Sequence, residues 1–106
     1  MSAQKLCLIE DDPIMGESLC DRFALEGFAF DWHQDGESAL RHIGRESYAA
    51  IISDVRLPDL GGDDLFRRLL ARGTRLPPLM FITGYGSIDR AVEAIRSCFS
   101  RWFWLS

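Results

Sequence analysis

Short apolar runs alternate along this chain with longer segments in which apolar residues recur every three or four positions. The short runs predict strands, and the longer segments have the period of amphipathic helices. Strands are predicted at Lys5–Ile9, Phe28–Trp32, Tyr48–Ser53 and Leu79–Thr83, each followed by a helix. This β-α-β-α-β-α-β-α order predicts an α/β fold with a doubly wound parallel sheet.

The predicted helices have recognisable ends and inner faces. Asp12 and Pro13 predict an N-cap and a first helical residue, and Gly27, Gly44 and Gly73 predict helix ends. The apolar positions expected to face the sheet are Met15, Leu19 and Phe23 in the first helix, Ala39, Leu40 and Ile43 in the second, Leu65, Phe66, Leu69 and Leu70 in the third, and Ile88, Ala91, Val92 and Ile95 in the fourth.

The composition is that of one small globular domain over residues 1–106, because 47% of the residues are hydrophobic. The net charge of −4 disfavours direct nucleic-acid binding. No apolar run approaches the roughly 18 residues of a membrane span, and no apolar signal core follows the first residues. The three cysteines are not spaced as in a metal site, and we interpret them as reduced thiols. We therefore expect a cytoplasmic protein.

Carboxylates stand where two of the predicted strands end. Asp54 follows the strand Tyr48–Ser53, and Glu10-Asp11-Asp12 follows the strand Lys5–Ile9. Ligands of open α/β sheets bind at the carboxyl ends of the strands, so neighbouring strands would bring these acids together. Carboxylates without histidine or cysteine suit Mg²⁺ or Ca²⁺. His33 and His42 are expected at the surface, and Asp59, Asp63 and Asp64 are expected in solvent or as caps.

Three short motifs carry a family resemblance: Glu10-Asp11-Asp12-Pro13, Asp54-Val55-Arg56-Leu57-Pro58 followed by Gly62, and Phe81-Ile82-Thr83-Gly84. With this order and spacing, residues 5–96 resemble the receiver domain of bacterial two-component response regulators. The resemblance implies a flavodoxin-like, receiver-like fold. Residues 97–106 do not match the family and form an atypical tail.

By this resemblance, Asp54 is the phosphoacceptor, and a histidine kinase donates the phosphoryl group. The resemblance also implies a Mg²⁺ ion held by Asp11 and Asp54, by Glu10 through water and by the backbone carbonyl of Arg56. Asp12 is implied as an auxiliary acid of this site. In the alternative interpretation, Asp12 serves mainly as a helix cap. Thr83 is implied as the switch residue.

The resemblance further places kinase docking on the first helix, with Met15, Ser18 and Leu19 as expected contacts. It fails at the C-terminal end, where receivers carry a lysine after their fifth strand. Lys5 is the only lysine of this chain, so no residue matches that position. The tail is expected to supply at most an atypical fifth strand, Trp102–Leu105, and the fifth helix is expected to be missing.

Two other functions compete with a phosphorylated receiver. The first is a degenerate receiver that acts only through protein contacts, including a homodimer formed through the aromatic tail. The second is a Mg²⁺-dependent phosphohydrolase with an aspartate nucleophile. Such an enzyme needs an acid two residues after its nucleophile, where this chain has Arg56 after Asp54 and Pro13 after Asp11. We therefore do not expect an enzyme.

Overall fold

The structure is a computed structural model that describes residues 5–55, 57–72, 77–82, 88–90, 92–93 and 95–96. Its elements are β1 (Lys5–Ile9), α1 (Pro13–Leu25), β2 (Ala29–His33), α2 (Gly36–Ile43), β3 (Ala50–Asp54), α3 (Gly62–Ala71) and β4 (Leu79–Ile82). All strand pairs are parallel, in the order β2-β1-β3-β4. The predicted parallel α/β sheet is therefore confirmed.

The sheet has a separate apolar core on each face, because side chains along a strand point alternately to opposite sides. On one face, Leu8 and Ile52 belong to a core that contains Leu19 and Phe23 of α1. The opposite core contains Cys7, Ile9 and Ile51 from the strands. The helices contribute Ala39 and Leu40 of α2 and Leu65 and Leu69 of α3 to it. The central strands are thus buried on both faces, as the isoleucine pair predicts.

The described residues that follow β4 pack on the same face of the sheet as α1. Residues 88–90, 92–93 and 95–96 have helical backbone, and the side chains of Val92 and Ile95 lie in the core that contains α1. Two ion pairs join this segment to α1 and its C-cap: Arg22 with Asp89 at 2.6 Å, and Arg96 with Glu26. The predicted turn 84–87 and the predicted strand Trp102–Leu105 lie outside the described residues.

The predicted apolar stripe of α3 is partly wrong. Leu65 and Leu69 are fully buried, but Phe66 and Leu70 are 44% and 54% exposed. Each of the exposed residues directly follows a buried one, which places it about 100° further around the helix, on the flank of α3 rather than facing the sheet. A run of adjacent apolar residues in a helix does not by itself tell which of them face the core.

Strand β2 begins one residue later than predicted. Phe28 instead completes the end of α1, where its N–H donates to the carbonyl of Phe23 across Gly27, whose φ is +84°. Glycine adopts this left-handed conformation without steric cost, so Gly27 is the helix end that the sequence predicts.

His33, expected at the surface, is the last residue of β2 and is only 8% exposed. Its Nδ1 lies 3.2 Å from the hydroxyl of Ser38 in α2, which covers it.

Candidate functional site

The carboxylates of Glu10, Asp11 and Asp54 meet at the carboxyl edge of the sheet. Asp54 is the last residue of β3, and Glu10 and Asp11 directly follow β1, its neighbour in the sheet. The parallel register pairs Ile9 with Ser53, so the residues after them emerge side by side. One carboxylate oxygen from each of the three residues lies within 4.8 Å of the others. The structure thus brings together three of the four acids that the sequence places here.

Glu10 is the most enclosed acid of this group. It is 2% exposed, whereas Asp54 is half-buried and Asp11 is exposed. Burial raises the pKa of the Glu10 carboxyl to about 7, opposed by a hydrogen bond from the Asp12 amide and reinforced by the charges of Asp54 and Asp11 and a hydrogen bond with Asp54. Crowded carboxylates disfavour one another's ionisation, and a bound cation removes that penalty.

Asp12 is directed to the helix rather than to the acidic group. Its Oδ1 accepts the N–H of Ile14 at 3.0 Å, and its own N–H donates to Glu10 Oε2 at 3.1 Å. This is the N-cap arrangement that Asp12-Pro13 predicts, with the side chain accepting one of the free amides of the first helical turn. The cap also ties α1 to the strand end that carries Glu10.

The loop that follows Asp54 is fixed by backbone and side-chain contacts. The N–H of Gly62 donates to the carbonyl of Val55 at 3.0 Å, which closes the loop at the start of α3. Asp59 reaches across to α2, where its two carboxylate oxygens accept the N–H groups of Gly36 and Glu37, each at 2.9 Å. Asp59, expected in solvent or as a cap, is exposed and caps the N-terminus of α2.

Two expected parts of the site, Arg56 and Thr83, lie outside the described residues, so their implied roles stay predictions. The single lysine of the chain is not at the site. Lys5 stands at the opposite end of β1, roughly 13 Å along the strand from Ile9. There its ammonium group pairs with Asp31 at 3.0 Å. Lys5 is therefore not a cation for the acidic group.

The expected kinase contacts on α1 need a correction. Met15 is 4% exposed and Leu19 is fully buried, because both face the sheet, while Ser18 is half-buried. The apolar side chain that α1 presents to solvent near the acidic group is Ile14, which is 68% exposed. Trp32, which belongs to none of the sequence motifs, donates its indole N–H to the carbonyl of Glu10 at 2.9 Å.

Sequence comparison agrees with this geometry. The family model described as the response regulator receiver domain matches residues 6–100. The response regulator protein FleR of Pseudomonas aeruginosa PAO1 is 40% identical over 94 residues, which are 89% of this chain and 20% of FleR. The C4-dicarboxylate transport transcriptional regulatory protein DctD of Rhizobium meliloti is 33% identical over 90% of this chain and 20% of its own. This chain spans about a fifth to under half of the length of such relatives.

Solved structures share the fold. The receiver domain of the Francisella response regulator 1452 superposes with a TM-score of 0.81 at 19% identity, covering 92% of this chain and 98% of its own. The receiver domain of a sensor histidine kinase from Pseudomonas aeruginosa PAO1, solved with a magnesium ion coordinated in its active site cleft, has a TM-score of 0.71 at 30% identity and covers 77% of this chain and 68% of its own.

These matches confirm the flavodoxin-like, receiver-like fold that the three motifs imply. In the described part of the chain, no helix is long and apolar enough to cross a membrane. With the family model covering nearly the whole sequence, and with the acids of its motifs gathered at one sheet edge, the chain belongs to the response regulator receiver domain family.

Proposed function

We propose that this chain is a phosphoacceptor receiver that takes a phosphoryl group from a histidine kinase onto Asp54. The single observation that carries the proposal is the convergence of Asp54 with Glu10 and Asp11 at the carboxyl edge of the sheet. The side chain of Asp54 is half-buried, so it is held by the fold yet open to a donor from outside.

The three carboxylates fit a magnesium ion. Oxygens bound to one octahedral Mg²⁺ at about 2.1 Å lie about 3 to 4 Å apart, which is close to the 4.8 Å span of the group. Asp11 and Asp54 would hold the ion directly, with Glu10 acting through water, and the carbonyl of Arg56 would complete the set of protein ligands. When bound, the ion supplies positive charge against the acidic group and against the phosphoryl oxygens.

The chain's own part in the transfer is to supply and orient the nucleophile. A carboxylate oxygen of Asp54 forms the new bond to phosphorus while the bond from phosphorus to the histidine nitrogen breaks, and the imidazole leaves with that electron pair. The product is an acyl phosphate. No acid stands two residues beyond Asp54, where the sequence has Arg56, so the chain is a receiver rather than a phosphohydrolase.

The added phosphate changes the charge at the end of β3, next to β4. The register pairs Asp54 with Ile82, so Thr83 directly follows the residue opposite the phosphoacceptor. In this proposal, Thr83 responds to the phosphoryl group and passes the change to the residues that follow it. A phosphoryl group adds about two negative charges, which is enough to bias a two-state element.

Intact-mass spectrometry after incubation with acetyl phosphate and Mg²⁺ tests the proposal. We expect one added phosphoryl group on the wild-type chain and none on Asp54→Asn, which keeps the shape of the side chain. Asp64→Asn is the matched control, because Asp64 is an exposed acid in the first turn of α3. It should be phosphorylated like the wild type.

Two outcomes would contradict the proposal. If the folded wild-type chain gains no phosphoryl group, it lacks a working acceptor and is a protein-contact module of receiver shape. If Asp54→Asn is still phosphorylated, the acceptor is another residue. Circular dichroism of each variant shows whether a negative result comes from loss of the fold.

A further inference from the structure

Trp32 contacts the strand end that carries the acidic group. It is the fourth residue of β2, and its half-buried ring packs against the core on the α1 side of the sheet. Its indole N–H donates to the backbone carbonyl of Glu10 at 2.9 Å. An indole N–H is a donor only, so the direction of this hydrogen bond is unambiguous.

The ring reaches this position only because residue 16 is glycine. A Cβ built on Gly16 would lie 2.0 Å from Cζ2 and 2.4 Å from Cε2 of Trp32, far inside any permitted contact. Gly16 lies in the first turn of α1, and its N–H donates to the carbonyl of Asp12 at 2.8 Å. Glycine costs a helix about 1 kcal/mol relative to alanine, so the close approach of the indole occurs at a position where glycine is otherwise unfavourable.

The bond to Trp32 fixes the peptide plane that leads into Asp11. The carbonyl of Glu10 and the N–H of Asp11 belong to one planar peptide unit, so holding the carbonyl also sets the direction in which Asp11 leaves the strand. The N–H of Glu10 donates to the carbonyl of His33 at 2.9 Å, on the preceding peptide plane. The backbone of Glu10 is therefore held at both its donor and its acceptor by the end of β2.

We propose that Trp32, seated on Gly16, is a positioning residue that sets Glu10 and Asp11 for cation binding. This inference rests on the proposed metal site of the receiver. Groups that orient metal ligands typically change affinity by 10- to 100-fold when they are removed. Trp32 acts through the backbone carbonyl of Glu10, so its expected effect is on the metal requirement and not on the transfer step.

The Mg²⁺ dissociation constant of Trp32→Phe, measured by calorimetry, tests this role. Phenylalanine keeps most of the apolar ring and removes the N–H donor. We expect the dissociation constant to rise about tenfold. The rate of phosphorylation by acetyl phosphate should fall at low Mg²⁺ and return to within about twofold of the wild-type rate at saturating Mg²⁺, because a positioning residue changes the metal requirement alone.

Two further variants separate positioning from simple packing. Gly16→Ala should also weaken Mg²⁺ binding, because the new methyl group displaces the indole, although alanine favours the helix. Phe30→Leu is the matched control, since Phe30 lies on the same strand and in the same core and has no hydrogen bond to Glu10. It should leave the dissociation constant unchanged. An unchanged constant in folded Trp32→Phe would overturn the inference.

Amide hydrogen exchange in the metal-free protein keeps the inference testable if the proposed function fails. If the wild-type chain binds no Mg²⁺, the proposed metal site is wrong, and the positioning role is then read from the amides of Glu10 and Asp12. Faster exchange of these amides in Trp32→Phe than in Phe30→Leu would support a role for Trp32 in holding this segment. Equal exchange in the two variants would overturn it.

Discussion

At the scale of single residues, the ionised carboxylate of Glu10 is expected to destabilise the metal-free fold. Its folded-state pKa of about 7 lies above the ordinary value of 4.5, chiefly because the carboxyl is buried, with further contributions from Asp54 and Asp11. A raised pKa stabilises the fold below about pH 4.5, and this contribution is lost as the pH rises through about 7. Glu10→Gln should therefore raise the free energy of unfolding of the metal-free protein at about pH 8, on the order of 1 to 3 kcal/mol.

Urea denaturation in the presence of a chelator, at about pH 5 and about pH 8, measures this effect. The difference in unfolding free energy between Glu10→Gln and the wild type should be larger at the higher pH. Glu17→Gln serves as the control, because Glu17 is an exposed acid of α1. A Gln variant no more stable than the wild type at the higher pH would mean that the Glu10 carboxylate is stabilised by its hydrogen bond from Asp12.

Residues at strand ends were the most predictable part of the site. Apolar runs that end in Asp54 and in Glu10-Asp11 place the acids at one sheet edge as soon as the strands are parallel, and the structure brings these three together. The hydrogen bond from Trp32 to the carbonyl of Glu10 was not predictable in this way, because it depends on the close packing of the indole ring over Gly16. A glycine within a helical pattern signals a close approach, but not the identity of the neighbour.

At the scale of elements, the N-terminus of α2 depends on a residue from another loop. Asp35 occupies the N-cap position of α2 and makes no side-chain cap bond, whereas Asp59 accepts the amides of Gly36 and Glu37. Asp59→Ala should lower the free energy of unfolding by about 1 kcal/mol, the usual cost of losing a cap. Asp35→Ala should change it by less than about 0.5 kcal/mol.

The pH dependence of this effect identifies the Asp59 carboxylate as its source. Burial alone would raise the pKa of Asp59, but hydrogen bonds from the backbone amides of Gly36, Glu37, Asp59 and Leu60 together lower it. A lowered pKa stabilises the fold above about pH 4, and this contribution is lost as the pH falls through the folded-state value. Chemical denaturation should show the cost of Asp59→Ala shrinking in acid. Equal costs for Asp35→Ala and Asp59→Ala at neutral pH would contradict the assignment.

Element positions were predictable where a local signal marks the boundary. Strand β1 has the predicted bounds, and α1 begins at Pro13 and ends before Gly27 as expected. The start of β2 was wrong by one residue, because the N–H of Phe28 completes the end of α1. No local signal predicts that Asp59 caps α2, because Asp59 and Gly36 are 23 residues apart in the sequence. Long-range partners of this kind become visible only with the packed structure.

At the scale of the whole molecule, sequence periodicity predicts that a helix has a buried face but not which side of the sheet it covers. The apolar positions Val92 and Ile95 were expected to face inward, and they do so on the side occupied by α1. On the opposite side, Phe66 and Leu70 remain exposed on the flank of α3. Among the described residues, those that follow β4 therefore add to the core on the α1 side of the sheet and not to the core on the α3 side.

The burial of these side chains predicts that two similar side-chain truncations differ greatly in their effect on the free energy of unfolding. Ile95 is fully buried, so Ile95→Ala should lower the free energy of unfolding by about 2 to 4 kcal/mol through lost burial and a residual cavity. Leu70→Ala removes a side chain of similar size at a site that is 54% exposed and should cost less than about 1 kcal/mol. Urea denaturation followed by circular dichroism measures both.

The ion pairs that join α1 and its C-cap to Asp89 and Arg96 should matter less than this apolar contact. Arg22 pairs with Asp89 at 2.6 Å, but Asp89 is 83% exposed, and exposed pairs contribute about 1 kcal/mol or less. Arg22→Ala should therefore cost less than Ile95→Ala. The opposite order would mean that charge pairing holds this segment on α1. If Ile95→Ala cost no more than Leu70→Ala, the helical segment would add little to the core on the α1 side of the sheet.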